Sequence, residues 1–429
     1  MLKIIEKPYD YTLDYSLLNK PRSEVYGFIC GLVQRMEVCQ TLGITISEFL
    51  DFLIDVDRGY KDNPYHSFYH AVDVVMVLYH FLELYEMSEH LTRIEVTLLI
   101  IAALCHDIGH PGKNNHFEIS CRSKLAEEFN NLSVLESNSC KLALELIDKH
   151  NLTRHIESKS KYYASPMTPF EFKRSMVKMI LATDMMCHYA LLDNISVLQD
   201  IVRHMKQNTL KPLFSDSKDP LSYFEKWFKE NLKEDVKVKE EEEEHGPDKI
   251  HENLDKPTRL TQEERLMLCN ILIHAADVSN PCRPWQVSRE LSRLVCIEFS
   301  RQAEEEHQRG FVSQIAAEPA TMNTSFIDLI VYPYFQALAL LFPKSVELVS
   351  VCARNRDEWR KTTARTIDLK MTVSTTGTVP IQSQRILHRS VSFNAILLHS
   401  VMKRNETYKW TRRKSEDVHV IKKQKVVDY

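Results

Sequence analysis

The sequence predicts an all-α protein, and three observations carry that prediction. Only nine of the 429 residues are glycine, and the helix-favouring residues Leu, Ile, Met, Glu and Lys are abundant. Apolar residues recur at three- and four-residue spacing from about Val25 to Asp357, as in SEVYGFICGLVQRMEVC and ERLMLCNILIHAADVSNP. The sequence has neither regularly spaced runs that alternate like strands nor an internal repeat.

We expect three parts along the chain: an N-terminal extension (1–24), one large helical domain (25–365) and a basic, flexible C-terminal tail (366–429). Inside the domain, Thr45 followed by Glu48 has the pattern of a capping box and predicts a helix start. The segment KVKEEEEEHGPDK has too few apolar residues to offset the entropy of ordering, which predicts a disordered acidic insert over about 229–257. From Met371 on, eleven Lys or Arg residues stand against four acids.

Composition excludes some classes of function and location. A net charge of −4 does not favour nucleic acid as a partner. The ten cysteines form no C-x-x-C pair and lie partly in apolar runs, which is typical of free thiols in a reducing compartment. The N-terminus lacks a signal-peptide core, and the apolar run Val96 to Cys105 is shorter than the roughly 20 residues that cross a bilayer. We therefore expect a cytoplasmic protein without a membrane span.

Histidines and aspartates interrupt three otherwise apolar helical segments. PYHSFYHAVDVVMVLYHFL puts His66 and His70 four residues apart, on one helix face. The helix in LIIAALCHDIGH is expected to end with the pair His106-Asp107, and the helix in LCNILIHAADVSNP with His274 and Asp277. One buried histidine is usually a satisfied core residue, whereas a buried aspartate needs a partner. Coordination of zinc, magnesium or manganese would satisfy all of these groups together.

The adjacent pair His106-Asp107 predicts a site with two metal ions. Neighbouring side chains diverge, so His106 can bind one ion while Asp107 bridges to a second. Two ions about 3.5–4 Å apart turn a shared water into hydroxide near neutral pH, which is typical of hydrolytic sites. Gly109 and Gly112, on either side of His110-Pro111, let the chain leave the helix without crowding the ions.

Four segments, YHSFYHAVDV, CHDIGHPGKNNHFEI, LATDM and HAADVSNP, resemble in order the signature segments of class I 3′,5′-cyclic-nucleotide phosphodiesterases. The resemblance runs from about Tyr26 to Arg360, and HDIGHPG and HAVDV are most similar to the fungal high-affinity cyclic AMP enzymes. It implies a single helical catalytic domain of the HD type with a deep metal-containing pocket. It also implies hydrolysis of a cyclic nucleotide, with cyclic AMP favoured, to the nucleoside 5′-monophosphate, which ends cyclic nucleotide signalling.

The resemblance implies a role for each matching residue. The ligands of the tight ion, usually zinc, would be His70, His106, Asp107 and Asp277. Asp107 would bridge to a looser ion, magnesium or manganese, and His66 would be the general acid that protonates the 3′ oxygen while a bridging hydroxide attacks phosphorus. Residues that orient waters on the ions would be His110, Glu136, Thr183 and Asp184. Without the resemblance, Glu136 would fit a surface helix and Asp184 a helix partner of Lys178 or His188.

The expected nucleobase pocket departs from the family pattern. The family carries glutamine three residues before a stacking phenylalanine, in S-Q-x-x-F-I-D, whereas this chain reads MNTSFIDLIVYPYF, with Asn323 before Phe326. Asparagine is one methylene shorter, so a direct bond to the base would become water-mediated or be lost, which affects base discrimination more than catalysis. The other predicted pocket residues are Val295 across the clamp, Asn280 facing the purine, Tyr65 and Met185. Ile273 and Phe299 fit core packing better.

Three alternatives stay open at this point. The enzyme could act on cyclic GMP or on both cyclic nucleotides. It could be another HD-type hydrolase of nucleotides or polyphosphates, which HAADVSNP and FIDLIV argue against. It could be a cyclic nucleotide sensor without turnover, which the complete set of metal ligands together with His66 argues against.

The tail carries a candidate phosphorylation site. WTRRKSEDV places Arg412 and Arg413 before Ser415, which resembles the substrate motif of cyclic AMP-dependent kinase. That kinase is therefore a candidate partner. Because such short motifs recur by chance, a solvated basic tail is the simpler interpretation.

Overall fold

The computed structural model describes residues 11–161, 166–206, 259–313 and 318–374. Within these ranges the chain is helical, with short 3₁₀ and π-helical turns and no strand, which confirms the predicted all-α class. The α-helices are α1 (Arg22–Arg35), α2 (Val38–Leu42), α3 (Ile46–Gly59), α4 (Phe68–Tyr79), α5 (Arg93–Cys105), α6 (Asn115–Ser120), α7 (Lys124–Glu128), α8 (Val134–Lys149), α9 (Ile156–Ser160), α10 (Pro169–Leu181), α11 (His188–Lys206), α12 (Gln262–Asp277), α13 (Trp285–Gln308), α14 (Pro319–Phe326), α15 (Tyr332–Leu341) and α16 (Val346–Ser374).

The described residues divide into two compact units. The first takes in those of Met1–Glu298 and Phe326–Glu358, and the second those of Phe299–Ser325 and Trp359–Tyr429. Within the second unit, Gln302 donates to Glu306 over 2.8 Å, one turn along α13. The acidic insert about 229–257 and Ser415 lie outside the described residues, so these predictions and the domain boundaries stay predictions.

Local sequence fixes where several helices of the first unit begin. The predicted capping box of α3 is present: the Glu48 N–H donates to Thr45 Oγ1 over 3.2 Å, and the Thr45 N–H donates to Glu48 Oε2 over 2.7 Å. The same Thr-x-x-Glu pattern starts α5, α10 and α12. Each box satisfies backbone donors that the first helical turn would otherwise leave unpaired.

The core of the first unit is built around α4 and α5. Nearly every residue of both helices is buried, which is how a helix that is apolar on all sides behaves. α5 packs against α4 and α10, and α12 packs against α4, α5 and α10. This arrangement brings the first turn of α4 and the C-terminal ends of α5 and α12 together, which positions the site described below.

The segment before α1 is pinned to this core by one arginine. Arg283 is fully buried, and its guanidinium makes two 2.6 Å contacts with the carboxylate of Asp73. The remaining nitrogens donate to the carbonyl oxygens of Leu13, over 2.7 Å, and Tyr15, over 3.0 Å. Backbone carbonyls of the N-terminal segment therefore complete the coordination of a buried cation.

The structure bears on the expected free cysteines and on the expected absence of a membrane span. All ten cysteines are free thiols, as their spacing predicted. By length and composition alone, one stretch in the described part of the chain, Pro319–Leu341, is apolar enough to cross a membrane. A third (33%) of its most apolar window is buried in the protein, and core helices pass the same test, so this is weak evidence for a span. The expected absence of a span and the cytoplasmic location stay predictions.

Candidate active site

Four side chains from three helix ends converge on one point. The Nε2 atoms of His70 and His106 lie 3.3 Å apart. Asp277 Oδ1 is 3.0 Å from the first of these nitrogens and 3.4 Å from the second. Asp107 Oδ2 is 3.5 Å and 3.2 Å from the same two atoms. The sequence prediction that these residues meet is therefore matched by the geometry.

These spacings fit one divalent cation. The ligand atoms of His70, His106 and Asp277 all lie within 4.8 Å of one another, which suits three ligands of one ion. Asp107 Oδ2 lies at a similar distance from both imidazole nitrogens and could join them. The donors are also of the right kind, since they are imidazole nitrogens and carboxylate oxygens. His70 and His106 are both buried, at 3% and 1% exposure, so water does not compete freely for them.

Hydrogen bonds behind the cluster orient its members. His106 Nδ1 lies 2.9 Å from the carbonyl oxygen of Ala103 and donates to it, which leaves Nε2 free to face the cluster. The Tyr60 hydroxyl donates to the Leu104 carbonyl over 2.9 Å and accepts from the Asp107 N–H over 3.3 Å. Tyr60, at the end of α3, thereby fixes the position of the last turn of α5 and of the His106-Asp107 pair that follows it.

The imidazoles and carboxylates of the cluster shift one another's pKa. Burial alone would raise the pKa of the Asp277 carboxyl, but His106 and His70 hold that pKa below its usual range. Burial alone would lower the pKa of the His106 imidazole, but Asp107 and Asp277 raise it well above its usual value. Two partly buried carboxylates thus favour positive charge at this point, and a divalent cation would supply it while using both Nε2 lone pairs.

His66 lies beside the cluster and is paired with an acid that the sequence analysis missed. Glu298 Oε1 makes a short contact with His66 Nδ1, and Glu298 Oε2 accepts the backbone N–H groups of Tyr65 (3.0 Å) and His66 (3.1 Å). Burial opposes a charge on His66, but the Glu298 carboxylate outweighs it and raises the pKa of His66 to about 9. Burial likewise opposes the charge on Glu298, whereas His66 lowers its pKa to about 2.

His110 lies directly on His66. The two rings stack with centroids 4.0 Å apart and planes 26° from parallel. Burial and the neighbouring His66 charge lower the pKa of His110 to about 3, so this ring is neutral. The Gly112 N–H donates to His110 Nδ1 over 3.1 Å, which places the ring proton of His110 on Nε2.

The other residues predicted to orient waters include two acids, Glu136 and Asp184, which we call the acidic region. The Asp184 carboxylate accepts from the Ser133 hydroxyl and from the Met186 N–H, the latter over 2.8 Å. Glu136 Oε2 accepts from the Asn115 amide over 2.9 Å. Burial, and then the Asp184 carboxylate, raise the pKa of Glu136 well above its usual range, and the Asp107 carboxylate adds to this rise. The hydroxyl of the adjacent, buried Thr183 donates to the Ile180 carbonyl over 2.7 Å.

Three of the predicted pocket residues lie together in the first unit. The Tyr65 ring is 4.5 Å from the His70 ring, and its hydroxyl accepts from the amide of Asn280. Val295 packs on the apolar cluster that Tyr65 forms with Val287 and Leu291.

The remaining predicted pocket residues lie on separate elements. Met185 begins the 3₁₀ turn after Asp184. Phe326 ends α14 and belongs to the first unit, whereas Asn323 belongs to the second, where its Nδ2 donates to the Pro319 carbonyl over 2.7 Å. Ile273 is fully buried, in keeping with core packing.

The local sequence of Glu298 has the pattern that marked the predicted metal ligands. It lies in VCIEFS, an acid flanked by apolar residues, which is the same pattern that singled out Asp107 and Asp277. It is only 3% exposed. The many other charges on α13 conceal it, because an amphipathic helix with charges on most turns looks like a surface helix.

Comparison with known proteins bears on this geometry. Residues 65–352, more than half of the chain, match the family described as 3′,5′-cyclic nucleotide phosphodiesterase. The chain is 26% identical over 353 residues to "3′,5′-cyclic-nucleotide phosphodiesterase regA" of Dictyostelium discoideum, which covers 81% of this chain and 37% of that protein. It is 26% identical over 306 residues to "High affinity cGMP-specific 3′,5′-cyclic phosphodiesterase 9A" of Pan troglodytes (70% and 41%). It is also 26% identical over 350 residues to "3′,5′-cyclic-AMP phosphodiesterase 4C" of Rattus norvegicus (80% and 54%).

The fold has solved counterparts as well. The phosphodiesterase domain of Salpingoeca rosetta rhodopsin phosphodiesterase superposes with a TM-score of 0.65 at 23% identity, covering 84% of this chain and 94% of that one. The chain spans only 37% to 54% of the length of the three curated relatives named above, so it corresponds to part of each. The family match extends from Tyr65 to Cys352 on α16, and it takes in the metal-fitting cluster of His70, His106, Asp107 and Asp277. The chain therefore belongs to the 3′,5′-cyclic nucleotide phosphodiesterase family.

Proposed function

We propose that this protein hydrolyses a 3′,5′-cyclic nucleotide, with cyclic AMP favoured, to the nucleoside 5′-monophosphate. The observation that carries the proposal is the placement of a charged His66-Glu298 pair beside His70, His106 and Asp277, whose ligand atoms have metal-ligand spacing. Asp107 Oδ2 lies 3.5 Å and 3.2 Å from the two imidazole nitrogens of that group. Hydrolysis of a phosphodiester needs an acid for the leaving oxygen and positive charge for the phosphoryl oxygens, and the site provides groups for both.

The cluster residues would hold the metal ions. The tight ion, zinc, would take His70, His106, Asp107 and Asp277 as ligands. Asp107 would also contribute to a second site, for magnesium or manganese, whose surroundings include the acidic region of Glu136 and Asp184. When bound, such a pair of ions supplies a hydrolytic nucleophile near neutral pH and offsets charge on the phosphoryl oxygens.

His66 would act as the general acid through its Nε2. Its Nδ1 is engaged by Glu298, so Nε2 is the nitrogen left to face the substrate. With a pKa raised to about 9, the ring carries its proton at neutral pH and would pass it to the departing 3′ oxygen. The neutral His110 stacked below adds no competing charge.

Preference for cyclic AMP rests on the resemblance to cyclic AMP enzymes and on one contact in the pocket. Asn280 donates its amide to the Tyr65 hydroxyl, so its carbonyl oxygen is left to accept. Adenine carries a donor amino group where guanine carries the O6 acceptor, and an accepting oxygen therefore suits adenine. The relatives include one cyclic GMP-specific and one cyclic AMP phosphodiesterase, so direct measurement decides the preference.

The test is hydrolysis of cyclic AMP and cyclic GMP side by side by the purified protein, with and without added magnesium, with the products separated by chromatography. We expect a 5′-monophosphate, faster turnover of cyclic AMP, and loss of activity on metal chelation that divalent cations restore. Linear nucleotides and polyphosphates serve as competing substrates. Turnover of these alone would show a different phosphohydrolase, and tight binding of cyclic AMP without turnover would show a sensor.

A further inference from the structure

The carboxamide of Asn63 joins two segments of the site that come from different parts of the chain. Its Nδ2 donates to the carbonyl oxygens of His66 and His110, each over 2.8 Å. An amide nitrogen carries two hydrogens, and both partners are pure acceptors, so the N–H side of the group must face them. One side chain therefore bonds the loop that carries His66 to the turn that follows the metal-facing pair.

Local sequence holds Asn63 in place for this. Pro64 follows it, which disfavours helix and keeps the loop extended. On the other side of the carboxamide lies Gly112, with φ +73°, where a Cβ would sit 2.8 Å from Asn63 Oδ1. Glycine at this position satisfies the backbone angle and also makes the space that the Asn63 side chain occupies.

The contacts of Asn63 complement those of Glu298. Glu298 contacts the His66 ring at Nδ1 and accepts the backbone N–H groups of Tyr65 and His66. Asn63 holds the following carbonyl and, through the second bond, the backbone of His110, whose ring stacks on His66. Without Asn63, the carbonyls of His66 and His110 would lose this donor, and the two stacked rings would lose their shared backbone anchor.

We propose that Asn63 is a positioning residue for the general acid, acting through the backbones of His66 and His110 rather than on substrate. This inference rests on the proposed function, because the role of His66 does. In this role the two N–H groups of the Asn63 amide donate to two carbonyl oxygens, whereas a packing role would need only the shape of the side chain. A displacement of about 1 Å at a catalytic group costs roughly 10²-fold in rate, so the anchor matters for turnover.

Three substitutions separate donation from packing. Asn63→Asp has nearly the same shape but turns oxygen toward two carbonyl oxygens. Asn63→Ala removes the group, and Asn63→Ser supplies one hydroxyl donor for one of the carbonyls. We expect the Ser variant to lose the least kcat and the Asp variant the most, with the Ala variant lower than wild type by about 10- to 100-fold. KM should change little, and bound metal should be retained. If the Asp variant is milder than the Ala variant, the role is packing and the proposal is overturned.

An independent readout does not depend on turnover. The hydrogen bond between charged His66 Nδ1 and the Glu298 carboxylate should give a downfield proton resonance, assigned by its absence in Glu298→Gln. We expect this resonance to broaden or vanish in the Asn63 variants and to persist in the matched loop control Asp62→Ala, because Asp62 is exposed. An unchanged resonance together with wild-type kcat in the Asn63 variants would refute the role. If the wild type turns over neither cyclic nucleotide, the proposed function fails, while the resonance still tests the anchor.

Discussion

His66 and Glu298 are 232 positions apart in the chain, yet the carboxylate of Glu298 contacts the ring of His66 and both N–H groups at the start of its loop. A single acid thereby fixes where the imidazole lies and how strongly it holds its proton. The same contact predicts a measurable pH dependence.

Glu298→Gln should move the alkaline limit of activity to lower pH. The folded-state pKa of His66 is raised from 6.5 to about 9, so the acid form persists through neutral pH and is lost as the pH rises through about 9. Without the carboxylate charge, that loss should occur at a lower pH, and kcat at neutral pH should fall by about 10- to 100-fold. The measurement is kcat against pH for both proteins. Coincident profiles would rule out Glu298 as the partner that sets the proton affinity.

The same pKa has a stability consequence of defined sign. Because the folded state binds the His66 proton more tightly than the unfolded state, the resulting stabilisation is fully present below pH 6.5 and is lost as the pH rises through about 9. The free energy of unfolding measured across that window should therefore decline in the wild type and decline less in Glu298→Gln.

His66→Ala should leave the fold and the tight metal intact while slowing turnover by about 10²–10⁴, the range for a positioned general acid. His66 is outside the group of His70, His106 and Asp277, and groups instead with His110 and Glu298. The measurements are kcat and bound zinc per chain, with the exposed His116→Ala as the matched control. A loss of zinc in proportion to the loss of activity would mean that His66 is a ligand.

Asp277→Ala should remove both activity and the tight metal. Asp277 lies within 3.0 Å and 3.4 Å of the two imidazole nitrogens, so its loss opens the ligand set. Thermal unfolding of the metal-loaded protein should also shift to lower temperature, because metal binding contributes to folding free energy. Asp200→Ala, an exposed aspartate on α11, controls for general effects of the substitution. Zinc that stays bound in Asp277→Ala would contradict the assignment.

Asn323→Gln should lower KM for at least one cyclic nucleotide with little change in kcat. The present amide donates to the Pro319 carbonyl of its own helix, and a longer side chain reaches beyond that bond. Thr321→Ala, on the same helix, is the matched control. If neither cyclic AMP nor cyclic GMP shows a changed KM, Asn323 does not face the base.

Ser415 should accept phosphate from cyclic AMP-dependent kinase. The phosphate would add about −1.5 to −2 charges next to Arg412 and Arg413 and weaken attraction of the tail to acidic surfaces such as KEEEEEH. Mass spectrometry locates the site, and turnover at low salt, compared with Ser415→Ala, reports any effect. Absence of phosphate at Ser415, or phosphate without effect on activity or binding, would leave the tail a spacer.

The residues that the sequence revealed share one property, which is that their local context is anomalous. His106, Asp107 and Asp277 stand at the ends of apolar helices, where a polar group needs an explanation, and the Thr45–Glu48 box is written within four residues. The helical class followed from periodicity in the same way.

The residues that were missed look ordinary where they stand. Asn63 before a proline resembles a turn residue, and Glu298 resembles one more charge on a charged helix. Their roles arise from contacts across 47 and 232 positions, respectively, which no window of sequence contains. Roles for Glu136, Thr183 and Asp184 came from the family resemblance alone, because their local sequence is compatible with a surface helix or a turn.

The buried guanidinium of Arg283 sets a limit on how short a working fragment can be. A fragment that starts after Tyr15 would remove two carbonyl acceptors from a guanidinium that is fully buried in the intact protein, at a cost of about 1–3 kcal/mol for each hydrogen bond lost. Asp73, the remaining partner, lies one turn after His70 on α4, so the strain would be felt one turn from the metal-fitting cluster. Recombinant versions trimmed to the boundary of α1 should therefore be less soluble and poorer in bound metal than versions that retain residues 11–20.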